Sequence, residues 1–102
     1  LLDTKSNWHS DAEKLRLKII NYIAVSLNNG NIELAHIFST IFYNISNNTF
    51  LDSNSEWKSQ AEELRLWLIQ QIGFLLNENN VEECQTLSVI FFNICNSLPL
   101  EN

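Results

Sequence analysis

Apolar residues recur along the first 28 positions at the spacing of one helical face: Trp8, Ala12, Leu15, Ile19, Tyr22 and Ile23. Trp57, Ala61, Leu64, Leu68 and Ile72 repeat the stripe later in the chain, with Gln71 as its one polar exception. Both stretches predict helices. The stripe runs back through the tryptophans, so the helices are expected to start near Ser6 and Ser55, although Ser10-x-x-Glu13 and Ser59-x-x-Glu62 have the form of capping boxes. They should end at Asn28-Asn29-Gly30 and Asn77-Glu78-Asn79, where Gly or Asn can take the left-handed conformation that closes a helix.

A second helix follows in each case, with Asn31 and Asn80 as the expected N-caps. Its apolar face reads Leu34, Ala35, Phe38, Ile41, Phe42 and Ile45 in the first instance and Cys84, Leu87, Ile90, Phe91, Ile94 and Cys95 in the second. The polar stretch 47–53 reads as a link, and 97–102, with the single Pro99, as a short tail.

The two stretches are copies. An offset of 49 residues aligns 2–51 with 51–100 without a gap and gives 23 identities in 50 pairs, far above chance. The expectation is a single all-α domain over residues 1–102, made of repeat 1 (2–50) and repeat 2 (51–100). Each repeat is a two-helix hairpin, and two hairpins that cannot cover their own apolar faces bury them against each other as a four-helix bundle with pseudo-two-fold symmetry. The turn at 30–35 is similar to the interhelix turn of tetratricopeptide repeats, but the period of 49 exceeds that family's roughly 34 and copy two lacks the glycine, so no family is assigned. The absence of Met and a repeat starting at residue 2 leave open whether the sequence is a piece of a longer repeat array.

The first helix of each copy carries a second apolar stripe: Leu17, Ile20, Ala24 and Leu27, matched by Leu66, Ile69, Gly73 and Leu76. A bundle helix normally has two neighbours, so both stripes are expected to be core. Copy two goes further. Trp67 and Phe74 replace Lys18 and Val25 on a flank belonging to neither stripe, beside the polar Glu63 and Gln70. On the last helix Val89 and Phe92 also fall away from the main face. Exposed aromatics ringed by polar groups are the pattern of an interface centre and rim, so these six residues are the candidate partner-binding patch.

Charge sharpens this picture. The net charge of −6 lies entirely in the second half, because residues 1–50 hold four cations and four anions whereas 51–102 hold two cations and eight anions. Clustered Lys and Arg are what phosphate backbones and anionic lipid surfaces require, so neither nucleic acid nor membrane is an expected partner. No apolar run approaches the roughly 18 residues that span a bilayer. Cys84 and Cys95 lie 11 residues apart on one predicted helix, about 16 Å along its axis, too far for a disulfide. They read as reduced core thiols, which places the chain in the cytoplasm.

Chemistry finds little purchase. Glu33-Leu34-Ala35-His36 has the Glu-x-x-His form of di-iron bundles, but copy two reads Glu82-Glu83-Cys84-Gln85, so a paired metal site lacks its second histidine. His9 has Lys58 as its counterpart, and neither cysteine has a repeated His or Asp to activate it. Glu13 with Arg16 and Glu62 with Arg65 read as surface i,i+3 pairs. Asn44 and Asn93, placed where helices disfavour them, are expected to bond across to a neighbour. The sequence therefore points to a non-enzymatic protein-interaction or assembly module without cofactor or metal, binding a protein partner or itself through the patch on copy two. The alternative is a small-molecule-binding or sensor bundle holding an apolar ligand between the hairpins.

Overall fold

The computed structural model describes residues 8–46 and 57–96, which form four helices and no strand. They are α1 (Trp8–Asn28), α2 (Ile32–Ser46), α3 (Trp57–Asn77) and α4 (Val81–Cys95). The expected helix starts near Ser6 and Ser55, the link 47–53 and the tail 97–102 lie outside the described residues, as do the side chains of Trp8, His9 and Ser10.

The turns of both hairpins follow from their Asn and Gly content. After α1, Gly30 adopts φ +76°, its N–H donates to the Leu27 carbonyl at 3.0 Å, and the Asn31 N–H donates to the Ser26 carbonyl at 2.8 Å. After α3 the same pair of bonds runs from Asn79 to Leu76 (3.1 Å) and from Asn80 to Leu75 (2.9 Å), with Asn79 at φ +61°. This is the Schellman closure, and Asn replaces Gly at its left-handed position because Asn tolerates that conformation better than other side chains. Asn31 caps α2 by accepting from the Leu34 N–H at 3.2 Å, whereas the Asn80 amide turns to Glu83 at 3.0 Å and caps only through its backbone.

Within the hairpins α1 packs on α2 and α3 on α4; between them α2 packs on α4 and, less extensively, α1 on α3. The core runs through all four helices, from Ile19, Ile20, Ile23 and Leu27 through Ala35 and Phe42 to Trp57, Ala61, Leu64, Leu68, Leu87, Ile90 and Ile94. Burying each large side chain of this set contributes about 1.5–3 kcal/mol before ordering costs. The expected bundle of two hairpins is what the described residues form.

Its faces are not all those expected. On α2 the buried line is Ala35, Ser39, Phe42 and Ser46, while Leu34 and Ile41, expected inside, are exposed. Small side chains at Ala35, Ser39 and Ser46 share the buried side of α2 with Phe42, and the bulkier flank faces outward. Ser39 and Ser46 become polar contacts: Arg16 Nε donates to Ser46 Oγ at 3.2 Å, and Asn93 Nδ2 donates to Ser39 Oγ at 3.0 Å. The expectation that Asn93 bonds to a neighbouring helix is met. Because this amide is buried between the hairpins, Asn93→Ala is expected to cost about 1–3 kcal/mol, read as a fall in the urea midpoint at constant slope.

A two-fold relation between the hairpins would leave equivalent positions equally buried, and they are not. Ile20 is 0% exposed and its counterpart Ile69 52%; Leu27 is 7% exposed and Leu76 54%; Leu64 is 7% exposed and Leu15 42%. The second apolar stripe is therefore core on α1 but faces solvent on α3.

Candidate interaction surface

Three features meet along α3. The first joins the hairpins. Trp57, buried at the start of α3, donates from Nε1 to Glu13 Oε2 at 3.1 Å, lies edge-on to Phe42 with ring centroids 5.3 Å apart, and carries the Arg16 guanidinium carbon 5.7 Å from its ring centre. Arg16 is fully buried and pairs with Glu13. Burial pushes its guanidinium below the ordinary arginine value, and the charge and hydrogen bond of Glu13 oppose that push. The pair read from sequence as a surface feature is thus interior in copy one. Its twin, Glu62 with Arg65, is paired at the surface. The difference is tertiary: α3 brings Trp57 over the first pair, and no helix of the described residues covers the second.

The second feature is a cleft of about 430 Å³ between the first helices of the two hairpins. Ile20, Ala24, Leu27 and Asn28 line it from α1, and Gln60, Glu63, Leu64 and Trp67 from α3. This corrects the expectation for Trp67. It is half-buried and packs against the core beside the small Ala24, which leaves room for the indole. Trp67 and Phe74 therefore do not form one exposed pair.

The third feature is the outer face of α3. Leu66, Ile69 and Leu76 are each more than half exposed there, and Gly73 lies between them with open space where a side chain would be; Phe74, also more than half exposed, is on the neighbouring flank. Positions 66, 69, 73 and 76 have the three-and-four spacing of a helix-packing seam. Of the residues expected in a patch, Phe74, Gln70 and Glu63 are exposed on α3. Val89 and Phe92 are exposed on α4, where the Phe92 ring tilts against Tyr43 across the α2–α4 contact at 6.1 Å. Leu66, Ile69 and Leu76 were assigned to the core from sequence. The signal that could have set them apart was the pairing of that spacing with a central Gly.

Other chemistry does not gather. Among the described residues no three His, Cys, Asp or Glu side chains come together as a metal site, and Cys84 and Cys95 are free thiols, Cys84 buried with its Sγ 3.5 Å from the Ile72 carbonyl. No described helix is long and apolar enough to cross a membrane. Compared with family models, curated proteins and solved structures, the chain matches none, so what it does is argued from its own geometry.

Proposed function

We propose that this chain is a non-enzymatic helical interaction or assembly module whose contact surface is the outer face of α3, on the acidic second copy. One observation carries the reading: three large apolar side chains of a single helix, Leu66, Ile69 and Leu76, stand more than half exposed in a row interrupted only by Gly73. Isolated exposed leucines are ordinary, but a row at helix-packing spacing is the shape another helix fits. Covering the exposed half of each side chain contributes about 1 kcal/mol, about 3 kcal/mol for the row, so a partner helix adds contacts beyond it to offset the freedom lost on association. Exposed Glu62, Glu63 and Gln70 supply the polar rim.

The triple variant Leu66→Ser, Ile69→Ser, Leu76→Gln tests this. Association, measured as mass in solution and as retention of bound protein, is expected to weaken at least tenfold, while the unfolding free energy moves by no more than about 0.5 kcal/mol because these side chains are outside the core. Unchanged association in both assays rejects the surface.

The cleft between α1 and α3 favours a second reading, a small-molecule-binding bundle with an apolar ligand between the hairpins. Its volume of about 430 Å³ lies in the range of ligand pockets, and Leu27, Leu64 and Trp67 form an apolar wall beside the polar Asn28, Gln60 and Glu63. A native mass spectrum with a retained small molecule would move the conclusion to this reading.

A further inference from the structure

We propose that the hairpins are joined by a head-to-tail contact, both halves of which recur uncovered elsewhere on the molecule, and that a second copy of this chain covers them, stacking copies as further repeats. The inference deepens the assembly reading and rests on it.

The residues that face each other between the hairpins are not equivalent. Trp57, the counterpart of Trp8, sits on Glu13 and Arg16. Leu64 and Trp67, the counterparts of residues 15 and 18, face Ile20, Ala24 and Leu27. Asn93, the counterpart of Asn44, donates to Ser39. One surface of copy one receives, and a different surface of copy two inserts. A two-fold contact would show every such pairing twice with the roles exchanged; a heterologous contact shows it once and leaves each surface available again.

Burial follows the heterologous pattern. The receiving residues Ile20, Leu27 and Ser39 are buried, and their counterparts Ile69, Leu76 and Ser88 are exposed. The inserting residues Leu64, Ile90 and Asn93 are buried, and their counterparts Leu15, Ile41 and Asn44 are exposed. The open receiving surface keeps the residue types of the filled one, and the open inserting surface keeps Leu15, Ile41 and Asn44 as the counterparts of Leu64, Ile90 and Asn93. Glu62, Arg65, Ile69, Leu76, Asn77 and Ser88 are identical to Glu13, Arg16, Ile20, Leu27, Asn28 and Ser39, with Gly73 for Ala24. The contact already made inside the chain thus shows what fits the bare row on α3: the face of a hairpin bearing Leu15 and Ile41, which every copy of the chain carries. Charge agrees. That face bears Lys14 and Lys18 where copy two has Glu63 and Trp67, and the half it would meet holds eight anions against two cations.

Sedimentation equilibrium of the full chain is the test. The wild type is expected to grow with concentration past two chain masses, because each head-to-tail contact leaves one surface of each kind open for a further copy. Ile69→Asp removes the receiving surface and Leu15→Asp the inserting one, so each variant alone stays at one chain mass, while their equimolar mixture pairs through the two intact surfaces and stops at two. Hydrogen exchange on the unmodified chain gives a readout independent of any variant's folding: protection should rise with concentration both in the segment 66–76 and around Leu15 and Ile41. A wild type at one chain mass up to about 1 mM, exchange that ignores concentration, or association that ends at a dimer which the mixed variants cannot rebuild would overturn the proposal. If the wild type stays at one chain mass but the α3 triple variant loses a different bound protein, this inference fails and the assembly reading stands; if nothing is lost, both fail.

Discussion

Trp57→Ala is expected to lower the unfolding free energy by about 3–5 kcal/mol and the melting temperature by roughly 15–30 °C. Three interactions end together. The indole is buried between the hairpins, so its removal leaves a cavity bounded by Phe42 and the Arg16 guanidinium. Its N–H is also the bond that links α3 to Glu13 on α1. Trp67→Ala is the internal comparison. Trp67 is half-buried at the edge of an existing cleft, where truncation enlarges a space already open to solvent, and a cost of about 1–2 kcal/mol is expected. Urea unfolding of both variants by circular dichroism checks the ranking, and equal costs would show that Trp57 does not join the hairpins as described.

The duplicated charge pairs supply the second prediction. Glu13→Ala is expected to cost about 3 kcal/mol, because it leaves a fully buried guanidinium without its carboxylate and removes the acceptor of the Trp57 N–H. The two influences that oppose the burial of Arg16 both come from Glu13, so nothing from that residue remains to offset it. Glu62→Ala deletes the same residue from the same Glu-x-x-Arg sequence and is expected to cost less than about 0.5 kcal/mol, since that pair is at the surface. The measurement belongs at low protein concentration, where association cannot cover Glu62. Similar losses for the two variants would mean that burial of Arg16 is not what separates them.

The helices, their closing turns and the hairpin pairs were legible because each rests on local physics: the 3.6-residue period, the tolerance of Gly30 and Asn79 for positive φ, and the cap at Asn31. The candidate surface was legible only in part. Phe74 and Phe92 are exposed as expected, but Trp67 turned inward, and the widest apolar exposure lies on Leu66, Ile69 and Leu76, which their period had assigned to the core. Periodicity says that a stripe is apolar and is silent on whether a neighbour reaches it. On α1 a neighbour does; on α3, with nearly the same residues, none of the described helices does.

That this chain is all-helical, written twice, and acidic in its second half follows from composition and short-range spacing, which act within a few turns of one helix. Which of two nearly identical stripes is buried, which of two identical Glu–Arg pairs is interior, and that Trp57 joins the hairpins follow from packing between helices. Those outcomes depend on how one hairpin is offset against the other. Two copies with the same residues meet different surroundings, and packing between segments 49 residues apart is not encoded in either segment alone.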